Sequence, residues 1–237
     1  EIMPSLVGSE MCIRDSNLKA YQFANFISVA SQHVKESFLL HQYPENRIFV
    51  NPYGVDLSMF KPLPNIPKKY DVIMVGGWGY EKGCDLIVEA IRKTNYSFIH
   101  VGSIKDVDFP QEKNFTHIDP VDQSKLIEYY NQAKVFILPS RQDGFGMVLS
   151  QALACNLPII GSNNCGAPDL KKMVELPEYI TIIKDYTADA IVTAIHTAIK
   201  NYEQLGERIY AGNAIENLTW EAYGKRYANF LHKIIKQ

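Results

Sequence analysis

The sequence "VFILPSRQDGFGMVLSQALACNLPIIGS" (residues 135–162) contains the pattern that decides the fold. An apolar run ends at a proline and a serine, a turn with two glycines follows, and a helical stretch leads into a second apolar run. A strand, a helix and another strand in this order predict two parallel strands joined by a crossover helix. Because the strands are continuously apolar, helices are expected to cover both faces of the sheet.

The same alternation continues on both sides of this unit. We therefore predict an α/β fold in which a Rossmann-like parallel sheet carries helices on both faces. Further strands are predicted at 70–77, 96–102, 115–118 and 179–183, and further helices at 84–94, 123–133 and 187–202.

The two ends of the chain differ from this central region. Residues 1–16, "EIMPSLVGSEMCIRDS", lack periodicity and resemble a non-native scar, so we leave them out and expect the reading frame to begin before this chain. Residues 17–56 are assigned to the end of a preceding domain and a linker, 57–216 to the Rossmann-like domain, and 217–237 to an amphipathic C-terminal helix with an aromatic stripe that should pack on the body of the protein.

Composition excludes several classes of protein. The chain has 237 residues, 46% of them hydrophobic, and a formal net charge of −2, so it lacks the basic surplus typical of nucleic-acid binders. No apolar run approaches the roughly 20 residues of a membrane span. Neither a disulfide framework nor a metal site is expected, because the cysteines and histidines are scattered: Cys12, Cys84, Cys155 and Cys165, and His33, His41, His100, His117, His196 and His232.

The loop after the strand at 70–77 suits a phosphate. In "VGGWGYEKGCD", Gly76 and Gly77 would let a ligand approach the backbone, and Lys82 stands just before the next predicted helix. A lysine there adds positive charge where the helix dipole already favours anions. The spacing matches neither the dinucleotide fingerprint nor a Walker A loop. The alternative is a tight turn with a solvated lysine.

The turn at 144–146 opens a second helix whose first N–H groups have no partner within the helix. Asp143, just before it, is expected to accept hydrogen bonds from hydroxyl groups, which sugars offer in number. Gln151 lies about one turn after Met147 on the same helix face and is expected to reach hydroxyls too. The alternative makes Asp143 a helix cap and Gln151 a solvated polar residue.

Together the two turns suit the two ends of a sugar diphosphate, and the chain resembles the C-terminal half of the family 4 retaining glycosyltransferases of the GT-B fold. The segments that carry the resemblance are the two loops above, the interdomain-like "YGVDLSMF", the turn "NNCGAPDL" and the terminal "TWEAYGKRYANFL". The likeness covers roughly residues 21 to 235.

The resemblance implies roles for particular residues. Lys82 would bind the donor diphosphate, Asp143 would contact the transferred sugar, and Gln151 would hold the ribose hydroxyls. Asp143 and Lys82 are therefore the catalytic candidates. The donor-binding candidates are Gly76, Gly77, Lys82, Asp143, Gly144, Phe145, Gly146, Met147, Val148 and Gln151.

The chain departs from the family pattern at three site positions. Gly77 replaces an arginine, and Asp143 and Gln151 replace glutamates. We interpret the loss of one positive charge at Gly77 and one negative charge at Gln151 as mutual compensation. The N-terminal acceptor half of the family is also missing, so the chain alone is expected to be inactive.

The implied reaction transfers a sugar from a nucleotide diphosphate, with retention and without a metal or other cofactor. The acceptor would be a glycan, a lipid-linked molecule or a small molecule. We expect a cytoplasmic protein without nucleic-acid partners, with peripheral contact to the inner membrane through the missing half as a further possibility. The alternatives are a nucleotide-sugar-binding fragment without catalysis and a GT-B sugar-nucleotide epimerase, for which no poised carboxylate pair is found.

Overall fold

The computed structural model describes residues 20–205 and 212–236, so the interpretation of residues 1–16 lies outside the described residues. The strands are β1 Ile27–Val29, β2 Ile48–Val50, β3 Tyr70–Val75, β4 Phe98–Val101, β5 Phe115–Ile118, β6 Ala133–Leu138, β7 Ile159–Ser162 and β8 Ile180–Ile183. The helices are α1 Gln32–Leu40, α2 Cys84–Arg92, α3 Gln123–Asn131, α4 Met147–Ala154, α5 Ala167–Lys171, α6 Ala188–Leu205 and α7 Trp220–Ile235.

Six parallel strands form the main sheet in the order β5-β4-β3-β6-β7-β8, with helices on both sides, which confirms the predicted fold class. The chain runs outward from β3 to β5, then returns to the centre and runs outward again from β6 to β8. The strand order therefore reverses between β3 and β6, and the loops that follow these two strands diverge there. In open parallel sheets, ligands bind in the crevice at such a switch point.

The two central strands of the sheet are deeply buried. Val72, Ile73 and Met74 of β3 are fully buried, and so are Val135 and Phe136 of β6. Apolar side chains on both faces of the strands explain why their sequences are continuously hydrophobic rather than alternating. Within the described ranges, no helix is both long and apolar enough to cross a membrane.

Several predicted boundaries need correction. β3 ends at Val75, because Gly76 turns away from the sheet with a φ of 130°. α3 stops at Asn131, and Ala133 already belongs to β6, whose central pairing with β3 extends the strand by two residues at its start. The short helix α5 was not predicted, since five residues give too little periodicity.

A second, two-stranded parallel sheet consists of β1 and β2, and α7 packs against it. The Phe230 ring stacks on Phe49 with centroids 4.1 Å apart and meets Phe26 edge-on. The expected packing of the C-terminal helix is therefore observed. The aromatic stripe is not wholly covered, because Trp220 and Leu231 are 44% and 42% exposed.

The chain passes twice between the two sheets, and the two crossings lie side by side. Val55 N donates a hydrogen bond to Leu218 O over 2.7 Å. The guanidinium of Arg226 on α7 joins both crossings, because it donates to Asn51 Oδ1 and Pro52 O of the first and to Asn217 O of the second.

Candidate functional site

A cavity of about 560 Å³ lies beside the switch point, within the size range of small-molecule sites. The loops after β3 and β6 and the start of α4 form one wall, and β1 and α1 form the other. Most of the predicted donor-binding residues line it: Gly76, Lys82, Asp143, Gly144, Phe145, Gly146, Met147 and Val148. Gly77 and Gln151 are not among the lining residues.

Lys82 and Asp143, which are 61 positions apart in the chain, meet in this cavity. Lys82 Nζ lies 2.8 Å from Asp143 Oδ2 and 3.4 Å from Glu81 Oε1. Burial lowers the pKa of Lys82, but the hydrogen bond and charge of Asp143, with help from Glu81, outweigh it and raise that pKa above its usual value. The ammonium is therefore charged at neutral pH.

The Asp143 carboxylate is held by the loop that carries it. Its Oδ1 accepts a hydrogen bond from Phe145 N over 3.2 Å, and Asp143 N donates to Asn164 O over 2.8 Å. Asp143 thus stabilises the turn before α4, while Gly146 is the N-cap residue of the helix. Each carboxylate oxygen has a second lone pair, so Asp143 can still accept hydrogen bonds from hydroxyl groups in the cavity.

The N-terminus of α4 faces the cavity without a capping side chain. Its N-cap Gly146 adopts a φ of 76°, and no side chain bonds to the first N–H groups. Met147 and Val148, the first two residues of the helix, line the cavity. Unpaired N–H groups at the positive end of a helix dipole form a binding site for an anion.

Arg141 ties the two loops together, and sequence reasoning did not identify it. Its guanidinium forms a forked ion pair with Asp85, at 2.6 and 2.8 Å, and lies over the Tyr80 ring at 3.7 Å. Its backbone N–H donates to Glu81 O. Arg141 therefore fixes the distance between the loop of Lys82 and the loop of Asp143.

A segment after β4 fills the space beside the glycines of the first loop. A Cβ on Gly77 would lie 2.5 Å from Cε and 3.0 Å from Nζ of Lys105. A Cβ on Gly79 would lie 2.5 Å from Oδ1 of Asp106. Lys105 therefore brings a positive charge close to Gly77. The charge compensation that we expected between Gly77 and Gln151 did not take this charge into account.

Gln151 is buried rather than solvated, which contradicts the alternative interpretation of this residue. It is 6% exposed, and its Oε1 accepts a hydrogen bond from the Tyr130 hydroxyl over 2.9 Å. Burial raises the pKa of Tyr130 well above its usual range, so the hydroxyl keeps the proton that it donates. Contact between Gln151 and a ligand stays a prediction.

Helix α1, part of the other wall of the cavity, is hydrogen-bonded to the loop that carries Asp143. Ser31, the N-cap of α1, accepts from Val34 N and donates to Gly144 O over 2.6 Å. The next backbone N–H, of Gln32, donates to the buried carboxylate of Asp169. Nothing in the sequence pattern indicates these contacts across the cavity.

A buried histidine supports the glycine loop from below. Nε2 of His100, which lies on β4, is 2.8 Å from Gly76 O. Its Nδ1 is 3.0 Å from Nδ1 of His117. A carbonyl only accepts, so Nε2 carries the proton and Nδ1 of the neutral ring accepts from His117. Nε2 of His117 lies 3.4 Å from Asp119. The pKa of His100 is lowered from 6.5 to about 4, chiefly by burial and also by the charge of His117, while the hydrogen bond to Gly76 O raises it in part.

We expect acidification to destabilise the protein through His100. The unfolded chain binds a proton at His100 as the pH falls through 6.5, whereas the folded chain resists it until about pH 4. Proton uptake at His100 in the unfolded chain should therefore lower the free energy of unfolding by about 2 kcal/mol between about pH 7 and about pH 5. Chemical unfolding at both pH values measures this loss.

The matched comparison uses His100→Gln and, as a control, His232→Gln on the exposed side of α7. The first variant should show a smaller loss on acidification than the parent protein, and the second should show the same loss. An unchanged pH dependence in His100→Gln would contradict the assignment.

Among residues 20–205 and 212–236, no group of three or more histidine, cysteine, aspartate or glutamate side chains is placed to hold a metal ion. Lys82 lines the cavity, and Arg141 and Lys105 contact the loop that carries Lys82. Positive charge at this site is thus available from side chains and from the N-terminus of α4.

The chain matches the family model described as "Glycosyl transferases group 1" over residues 58–214. A probable sucrose-phosphate synthase of Thermosipho melanesiensis is 26% identical over 90% of this chain and 56% of its own length. A GDP-mannose-dependent alpha-(1-6)-phosphatidylinositol monomannoside mannosyltransferase of Mycolicibacterium smegmatis is 23% identical over 88% of this chain and 62% of its own length. The chain therefore spans little more than half the length of these relatives.

Solved structures share the fold. Anabaena HepE, in complex with UDP and glucose, has a TM-score of 0.74 at 16% identity and covers 95% of this chain and 67% of its own. A sucrose-phosphate synthase from Thermosynechococcus elongatus has a TM-score of 0.69 at 20% identity, and the match covers 97% of this chain and 64% of the synthase chain. The likeness shows the GT-B type of fold that the sequence resemblance implied.

Proposed function

Because the chain belongs to the group 1 glycosyl transferases, we propose that it forms the donor side of an enzyme that transfers a sugar from a nucleotide diphosphate to an acceptor. The observation that carries this proposal is the contact between Lys82 and Asp143 in the cavity. It places a cation suited to a diphosphate beside a carboxylate suited to sugar hydroxyls, where the loops of two adjacent strands meet.

In the proposed reaction, the bond between the anomeric carbon of the donor sugar and the diphosphate oxygen breaks, and a bond from that carbon to an acceptor hydroxyl oxygen forms. The proton of that hydroxyl passes to the departing diphosphate. Negative charge grows on the departing diphosphate. Lys82 and the N–H groups of Met147 and Val148 would stabilise this charge, because they are already oriented before the reaction. Asp143 would position the sugar through its hydroxyl groups.

Membership of family 4, and with it retention of configuration at the anomeric carbon, is part of the proposal and is supported by the order of the motifs. We also propose that no resident metal ion is needed, because Lys82 and the start of α4 supply positive charge at the diphosphate. The acceptor would be a glycan, a lipid-linked molecule or a small molecule.

The first experiment is a titration of the protein with UDP, GDP and ADP, with their sugar conjugates and with the bare nucleosides. The panel includes UDP and GDP because relatives are named for complexes with UDP and for dependence on GDP-mannose. We expect one diphosphate to bind more tightly than its nucleoside. At about a hundredfold excess over its dissociation constant, it should stabilise the fold by about 2.7 kcal/mol.

Transfer assays with the whole enzyme separate the alternatives. Product formation that survives EDTA, with the donor configuration retained, is the expected result. Binding without transfer would favour a nucleotide-sugar-binding module, and a sugar nucleotide with inverted stereochemistry would favour an epimerase. No binding by any member of the panel would contradict the proposed function.

A further inference from the structure

We propose that Lys105 supplies a second positive charge to the diphosphate end of this site, from the space that a side chain on Gly77 would otherwise fill. The inference rests on the proposed function, because it concerns the same ligand. Neither the motifs in the sequence nor the residues that line the cavity point to Lys105.

The position of the side chain is the first argument. Cε and Nζ of Lys105 lie 2.5 and 3.0 Å from the point where a Cβ on Gly77 would stand. Gly76, the preceding residue, lines the cavity beside Lys82. Consecutive Cα atoms are only about 3.8 Å apart, so the ammonium lies close to the part of the loop that lines the cavity. Glycine at position 77 is what lets it do so.

The backbone that carries Lys105 is fixed to the glycine loop. Trp78 N donates to Ser103 O over 2.8 Å, and Lys105 N donates to Trp78 O over 2.9 Å. Asp106 Oδ1 accepts from Tyr80 N over 2.8 Å. Trp78 is fully buried, so these bonds anchor the segment on the core. The stem of Lys105 therefore starts from a defined place above the loop.

Charge balance is the second argument. Lys82 already lies beside two carboxylates, those of Asp143 and Glu81, and Arg141 is paired with Asp85. For Lys105, the described part of the chain contains no carboxylate within ion-pair distance. A diphosphate carries more than one negative charge, and Lys105, a cation beside the loop, forms no ion pair with the described residues. The neighbouring carboxylate of Asp106 accepts a hydrogen bond from Tyr80 N instead.

The test removes this charge and then returns it from another position. Lys105→Met should weaken binding of UDP, or of whichever diphosphate the parent protein binds, by about tenfold, and should leave nucleoside binding unchanged. Gly77→Arg alone should bring no gain, because its side chain must displace Lys105. The double variant Gly77→Arg/Lys105→Met should recover most of the lost affinity, a non-additive result typical of groups that share one space.

Lys113→Met is the matched control, since Lys113 is also an exposed lysine of the same domain. It should leave the affinity unchanged. If the parent protein binds a diphosphate and Lys105→Met binds it equally well, or loses nucleoside affinity to the same extent, the role of Lys105 is wrong while the proposed function stands. If the parent protein binds none of UDP, GDP and ADP, both fail.

Discussion

Replacing Lys82 with methionine is expected to weaken binding of the preferred nucleoside diphosphate by about tenfold to a hundredfold, with no change for the nucleoside. Lys82 Nζ is the cation inside the cavity, and its pKa is raised, so it is charged over the working pH range. Because charge on the diphosphate grows as it departs, transfer by the whole enzyme should fall further, by about 10²–10³-fold. Calorimetry and steady-state kinetics measure the two effects.

Two further variants sharpen this test. Lys225→Met removes an exposed lysine of α7 that pairs with Glu221, and it should change neither binding nor transfer. Asp143→Asn frees Lys82 from its carboxylate partner, so binding of the bare diphosphate should hold while transfer is lost. Equal losses of diphosphate and nucleoside affinity in Lys82→Met would point to damaged folding and would contradict the assigned role.

The largest loss of stability is expected from Gly102→Ala. Gly102 follows β4 with a φ of 148°, and a Cβ there would collide with the carbonyl oxygen of Gly76. The backbone strain and the overpacking should together cost about 3 kcal/mol or more. Thermal unfolding should therefore begin roughly 6–12 °C lower. Because Gly76 lines the cavity, diphosphate binding should weaken as well.

Gly224→Ala provides the matched control. Gly224 lies within α7, and a Cβ added there would meet nothing within 4 Å. Alanine is the better helix former, so this variant should gain about 0.5–1 kcal/mol of stability. A Gly102→Ala protein as stable as the parent would show that the loop after β3 can shift away from β4, contrary to the packing described above.

The sequence predicted the main sheet well because its signal is local. Apolar runs such as those of β3 and β6 are buried on both faces, and helices separate them, so the strands and their parallel direction could be predicted. The strand order, and with it the switch point, was not predicted. The sequence analysis placed Lys82 and Asp143 at strand-to-helix turns of one sheet, but the adjacency of these turns depends on the pairing of β3 with β6. Their direct contact could not be predicted, because it depends on side-chain directions and on the fork that Arg141 forms with Asp85.

Two other features of the site were not predicted. The sequence contains no signal for the first, and its signal for the second was overlooked. Lys105 is an exposed lysine in an irregular segment, and nothing in such a segment marks its approach to Gly77. The burial of Gln151 could have been predicted. α4 is apolar on nearly all sides, so a polar residue in its middle must be buried and needs a partner, here Tyr130.

The crossings at 51–55 and 217–219 lie side by side between the two sheets, and Arg226 bonds to both of them. Ser31 and Gln32 connect the same two parts of the protein at a second place, through their bonds to Gly144 and Asp169. We expect any widening of the cavity to break the bonds of Ser31 and Gln32 first and to leave those of Arg226 in place, so that the two sheets stay joined.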